Sequence, residues 1–240
     1  MEHKDLVREE FTRQANDYAT APAIRDAEHL RKLVEIVAPP AGARVLEVAT
    51  GPGHVAMAFA PVCREVVGID LTDAPLKIAE KMRAERGLAN VSFQKGDVES
   101  RLPFKDGEFD VVVCRFAVHH FAFPVKVISE MARVCRADGL VAVEDFDRQR
   151  TARARGVLQR IRAAARHVAY QRARDERTGT DDGRGGSRNS AVRVAWIPHS
   201  GLTVDQGGKC VAGACSESDG DGRARRGRRS KRRASSANRQ

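Results

Sequence analysis

The stretch Val45-Leu-Glu-Val-Ala-Thr-Gly-Pro-Gly-His-Val-Ala56 runs a short β-branched segment into a glycine turn and then into residues at helical spacing. Glycines in such a turn let the backbone approach a ligand closely, and the helix that follows offers unpaired N–H groups. Taken alone, Gly51-x-Gly53-x-x-Ala56 also fits a dinucleotide fingerprint, and Asp70 lies near where a ribose-binding acid belongs. Glu47 separates the two readings. A carboxylate inside the first strand, four residues before Gly51, repels a pyrophosphate and attracts a cation, so a cationic ligand without phosphate fits better. Gly96-Asp97-Val98 adds an acidic turn that could hydrogen-bond an adenine amino group. Phe109 to Phe121 ends another apolar run in Arg115, His119, His120 and aromatic residues.

These groups must be held by regular elements, and the pattern from Arg44 to Asp145 supplies them. Short β-branched runs alternate with stretches of helical period, which argues for parallel strands joined by crossover helices. The predicted strands are Arg44 to Val48, Glu65 to Asp70, Val91 to Gln94, Phe109 to Cys114 and Leu140 to Glu144. A helix is predicted over 74–86, with Asp73 as cap and Leu76, Ala79 and Met82 on one face. Another over 124–135 turns Val127, Ile128, Met131 and Val134 inward, and a third starts at Asp26 with Leu30, Leu33, Val34 and Val37 inward. The expected fold is a doubly wound, Rossmann-like α/β domain with a mostly parallel sheet. Strand order there reverses between the first and fourth strands, and ligands bind at their carboxyl ends.

Together these residues resemble the class I S-adenosylmethionine-dependent methyltransferases, in the small-molecule branch that includes ubiquinone/menaquinone C-methyltransferase-like proteins. The resemblance covers about residues 10–146. It rests on Leu46-Glu47-Val-Ala-Thr-Gly51-Pro-Gly53, Val67-Gly-Ile-Asp70-Leu71-Thr72, Gly96-Asp97, Leu102-Pro103-Phe104 with Phe109-Asp110, and Glu130-Met-x-Arg133-Val. Phe11 to Tyr18 looks like the N-terminal segment that closes over the cofactor in this family. The resemblance implies that Glu47 and the turn residues Thr50, Gly51 and Gly53 face the methionine part of S-adenosylmethionine. It implies that Asp70 binds the ribose hydroxyls, Leu71 and Val98 flank the adenine, and Asp97 meets its amino group. Tyr18 belongs to the covering segment, and Arg115 either lines the cofactor pocket or points to solvent. The implied reaction moves the sulfonium methyl to a small-molecule acceptor, for which no fixed catalytic residue is required. If a base helps, His119 and His120 are the candidates, with a packing role for either as the plain alternative.

The chain has 240 residues, 42% hydrophobic and 31% charged, enough for one buried core with sequence left over. Its net charge of +10 is unevenly spread: residues 1–147 hold 19 basic and 24 acidic side chains, residues 148–240 hold 23 and 8. The first part, 1–147, is read as the methyltransferase domain, with 1–26 as its covering segment. Residues 148–176 permit a basic helix, and the Arg/Gly/Ser-rich stretch 177–240 is expected to be disordered for lack of apolar surface, with Val192 to Ile197 as a possible strand. The fold is therefore expected to have an atypical, incomplete C-terminal part; were residues from about 148 translated out of frame, the fifth strand would lie at an open edge.

Arg223 to Arg233 contains 8 basic residues in 11, which suggests an alternative: a nucleic-acid binder, or an RNA or DNA methyltransferase. Against it, the tail lacks aromatics interleaved with its charges. A third reading is that the chain beyond about 148 is translated out of frame and the enzyme weak or inactive, which inspection of the other frames downstream of codon 147 would test. Cys63, Cys114 and Cys135 read as buried small hydrophobes, and Cys210 and Cys215 with His199 do not match metal-site spacing. No apolar run approaches a membrane span, and the odd cysteine count argues against a disulfide framework, so a cytoplasmic protein is expected.

Overall fold

The computed structural model describes residues 3–145 and 192–198. Four helices come first: α1 (His3–Arg13), α2 (Ala15–Thr20), α3 (Pro22–Arg25) and α4 (Ala27–Val37). They are followed by β1 (Arg44–Val48), α5 (His54–Phe59), β2 (Glu65–Asp70), α6 (Asp73–Glu85), β3 (Val91–Lys95) and β4 (Phe109–Arg115). The order ends with α7 (Pro124–Val134), β5 (Cys135–Asp145) and β6 (Arg193–Pro198). The sheet order is β3-β2-β1-β4-β5-β6, and every neighbouring pair is parallel. This is the doubly wound architecture that the alternating pattern predicts.

Side chains on a strand alternate between faces, and the β1 sequence uses both. Leu46 and Val48 join the cluster beneath α7, whereas Val45 joins Leu33, Val55 and Phe59 beneath α4 and α5. Burial on both faces explains why the central strands read as continuous apolar runs. Glu47 alternates onto the Val45 face, so a carboxylate is carried into an apolar layer. α4 starts where expected, with Asp26 Oδ1 accepting the backbone N–H groups of Glu28 and His29.

Several expectations are corrected. Asp73 does not cap α6: the N-cap is Thr72, without a side-chain cap bond, and Asp73 pairs with Lys95 at 2.5 Å. β5 begins at Cys135 rather than Leu140, because a register shift between Phe109 and Val111 of β4 absorbs the turn-like Arg136-Ala-Asp-Gly139. Cys114 and Cys135 are buried, but Cys63 is only half-buried.

Val192 to Ile197, the possible strand suggested within 177–240, does form: β6 adds to β5 with Val141 opposite Val194 and Glu144 opposite Ile197. Val192 and Ile197 are 3% and 6% exposed and complete the two apolar layers, so β5 is not the open edge. The basic helix expected within 148–176, Cys210, Cys215 and the Arg223 to Arg233 run lie outside the described residues. Among the described residues, no helix is long and apolar enough to cross a membrane.

Candidate functional site

The strand order reverses between β1 and β4, and a cavity of about 760 Å³, its open mouth included, lies over their carboxyl ends. Its floor comes from four successive loops: Ala49 and Gly51 after β1, Asp70 to Thr72 after β2, Asp97 to Glu99 after β3, and Arg115 to Ala117 after β4. Its roof is α1, through His3, Lys4, Val7 and Phe11, together with Tyr18 of α2. A smaller cavity of about 290 Å³ adjoins it, sharing Tyr18, Ala49, Arg115 and Phe116 and adding Glu47, Thr50 and His54. Ala49 and Phe116 both hold positive φ, +57° and +53°. Such backbone strain is tolerated where the surroundings over-determine it, and here it falls on the two loops that frame the site.

The turn after β1 is organised by acids rather than by its glycines alone. Glu47 Oε2 accepts from the Thr50 hydroxyl at 2.5 Å and from the Ala56 N–H at 2.8 Å, tying strand, turn and α5 together. Burial pushes the Glu47 carboxyl up to about 7, against the hydrogen bonds from Thr50 and Ala56 that favour its charged form. With a carboxyl near 7, Glu47 carries its charge only in part at neutral pH, and a cation beside it would complete the ionisation. Asp70 accepts the Gly51 N–H at 2.8 Å and the Thr72 N–H at 2.9 Å, and burial raises its carboxyl also. Tyr18, buried between the two cavities, is raised by the same cause to about 12.

Two sequence-predicted site residues take other roles. Gly53 lines neither cavity. Its N–H donates to Thr50 O at 2.9 Å, its φ is +78°, and a methyl there would meet Phe93 Cζ at 2.4 Å. The residue is a glycine because β3 packs against the turn. His119 does not line the cavity either. Its Nδ1 lies 2.7 Å from Asp145 Oδ1, and its N–H donates to Oδ2 of the same carboxylate at 3.1 Å.

His120 does reach the cavity. The Phe11 ring stands edge-on to both Tyr18 and His120, at 5.6 and 5.0 Å between centroids. Gly51, Leu71, Val98 and Asp97 line the larger cavity as expected, and Thr50 the smaller. Asp97 is already engaged, accepting from Lys4 Nζ at 2.6 Å, from the Ser100 hydroxyl at 2.8 Å and from the Glu99 N–H at 2.9 Å. Burial works against its ionisation, but these bonds outweigh it and hold the carboxyl below its usual range.

Arg115 settles between its two readings: its side chain is 3% exposed and it lines both cavities. Sequence reasoning missed Lys4, Glu99, Glu144 and Asp145. A polar residue inside an apolar strand end, as in Val141-Ala-Val-Glu-Asp145, was the one available signal for the last two.

Comparison with known proteins agrees with this geometry. Residues 40–182, more than half of the chain, match the methyltransferase domain family. The chain belongs to that family. It is 37% identical over 135 residues to the uncharacterized methyltransferase YcgJ of Bacillus subtilis, covering 56% of this chain and 53% of that one. It is 34% identical over 148 residues to the ubiquinone/menaquinone biosynthesis C-methyltransferase UbiE of Bdellovibrio bacteriovorus, covering 59% and 62%. The chain thus spans somewhat over half the length of these curated relatives.

The crystal structure of the [4+2]-cyclase SpnF superposes with a TM-score of 0.52 at 25% identity, covering 57% of each chain. One fold carrying differently named activities means that the reaction has to be argued from the site. The family match also runs on past Asp147, so the compositional break falls inside it.

Proposed function

We propose that the chain is an S-adenosylmethionine-dependent methyltransferase acting on a small-molecule acceptor. The carrying observation is that Glu47 and Arg115, an acid and a base each at most 6% exposed, line one small cavity that opens beside a larger cavity holding Asp70. That arrangement fits a ligand with a zwitterionic amino-acid end and a ribose. Glu47 would take the ammonium, Arg115 the carboxylate, and Asp70 the ribose hydroxyls. Leu71 and Val98 would flank the adenine. When bound, S-adenosylmethionine supplies an electrophilic sulfonium methyl.

The protein's own contributions are alignment and exclusion of water. α1 covers the cavity, and it buries no residue of its own. It is held by the Lys4–Asp97 pair, by His3 Nε2 against His120 O at 2.9 Å and by the Phe11 ring contacts. Val7, Phe11, Phe116 and Phe121 give the cavity an apolar lining suited to an apolar or aromatic acceptor. His120, which lines the same cavity, would take a proton from such an acceptor. The UbiE relative's name refers to quinone biosynthesis, which is consistent with an aromatic acceptor.

Calorimetry of the full chain with S-adenosylmethionine and, separately, with NAD tests the assignment. Heat of binding with the first and none with the second is expected; the reverse preference defeats the proposal. The Asp97 carboxylate that would meet the adenine amino group is shared with Lys4, so Lys4→Met is expected to tighten adenosine binding by about two- to fivefold, as expected for a partly exposed ion pair. Unchanged or weaker adenosine binding would show that Lys4 and the ligand do not compete.

A further inference from the structure

Arg115 spends three of its five N–H donors inside the protein. Nε donates to Glu144 Oε2 at 3.0 Å, one Nη to Ile24 O at 2.9 Å and the other to Ala23 O at 3.0 Å. The guanidinium lies over the Phe116 ring at 4.0 Å. One hydrogen on each Nη remains without a protein acceptor among the described residues, although the side chain is almost wholly buried. Donors held that way suit a planar, two-oxygen acceptor. Glu144, 0% exposed, is itself held from the far side, where His29 Nε2 donates to Oε1 at 2.5 Å. A chain of contacts therefore runs from α4 through β5 to β4, and back to the carbonyls of α3.

We propose that Glu144 and His29 are positioning residues: they hold Arg115 where its two remaining donors meet a ligand carboxylate while the others clamp the covering segment at Ala23 and Ile24. The inference rests on the methyltransferase reading, because the carboxylate is that of the cofactor's amino-acid end. Glu144 offsets the arginine's charge, which allows a guanidinium to stay buried. It also fixes the guanidinium plane through Nε, leaving the two Nη groups to face elsewhere. Binding of the carboxylate and ordering of residues 22–25 are then coupled through one side chain.

The test compares two ligands on the full chain. S-adenosylhomocysteine carries the amino-acid end; 5′-methylthioadenosine keeps the adenosine and thioether but has no carboxylate. Glu144→Gln is expected to weaken S-adenosylhomocysteine by about tenfold or more, the scale of a charge-assisted hydrogen bond, and to change 5′-methylthioadenosine by less than about twofold. Equal losses on both ligands, or no loss on either, overturn the proposal in favour of a plain packing role. Should Glu144→Gln fail to fold, His29→Gln, which leaves the Arg115–Glu144 pair intact, decides by the same comparison, with about a threefold selective loss expected. Wild-type protein that binds neither ligand overturns the methyltransferase reading and this inference with it. Wild-type binding of both with unselective variants overturns the positioning role alone.

Discussion

Glu47→Gln is expected to abolish most cofactor affinity at pH 8 while leaving the ligand-free protein more stable than the wild type. The glutamine oxygen can accept from Thr50 and Ala56 as Glu47 Oε2 does, so the turn keeps its ties. What disappears is a buried charge. Because burial raises the Glu47 carboxyl to about 7 from an ordinary value of 4.5, the folded state binds that proton more tightly than the unfolded chain. Its contribution to stability is then full below pH 4.5 and is lost as pH rises through 7. Above that window the wild type carries a charge whose burial costs about 3 kcal/mol, and the variant does not.

Urea midpoints for the two proteins should coincide near pH 4.5 and diverge by pH 8 in the variant's favour; parallel curves would refute the burial argument. The ligand arm has the opposite sign. An ammonium beside Glu47 favours its charged form, so wild-type affinity for S-adenosylmethionine should rise as pH passes through 7, with proton release. Glu47→Gln should bind about ten- to a hundredfold more weakly at pH 8 and lose the Glu47 part of that pH dependence.

Gly53→Ala is the second large effect, and it falls on folding rather than on the ligand. A methyl at φ +78° is strained, and it would stand 2.4 Å from Phe93 Cζ and 3.1 Å from the Ala79 Cβ. Left-handed strain of about 1–2 kcal/mol and overpacking of about 1–3 kcal/mol together predict a loss of about 2–5 kcal/mol. Gly51 makes the contrast. Its φ is also positive, but a methyl there meets only Tyr18 Cε1, at 3.8 Å, and faces the larger cavity. Gly51→Ala should therefore cost about 1–2 kcal/mol of stability and weaken ligand binding more than Gly53→Ala does. Denaturation of both variants, and of Gly53→Ala combined with Phe93→Leu, checks the assignment. Trimming the ring should restore part of the loss, and strict additivity would place the clash elsewhere.

The residues of 26–134 made the first four strands, α4, α6 and α7 legible, because a strand's period of two and a helix's period of 3.6 are written in neighbouring residues. The acid-and-glycine turn was legible for a similar reason: its chemistry is confined to a dozen consecutive positions. Which glycine lines the cavity was not legible, since Gly51 and Gly53 differ only in what lies across space, a cavity wall for one and the Phe93 ring for the other. Nor was the charge state of Glu47, which depends on the apolar layer supplied by α4 and α5. β6 was legible only as a possible strand over Val192 to Ile197, because six residues amid arginine and glycine show no clear period and become a strand by completing the hydrogen bonds of β5.

The contacts that build the site join residues far apart in the chain: Lys4 to Asp97, His29 to Glu144, Arg115 to Ala23 and Ile24. Local sequence determined which chemical groups were present and roughly which elements carried them. Tertiary structure decided which groups share a cavity, which are already paired and which still have a donor to offer, because solvation and distance are set only when distant segments pack.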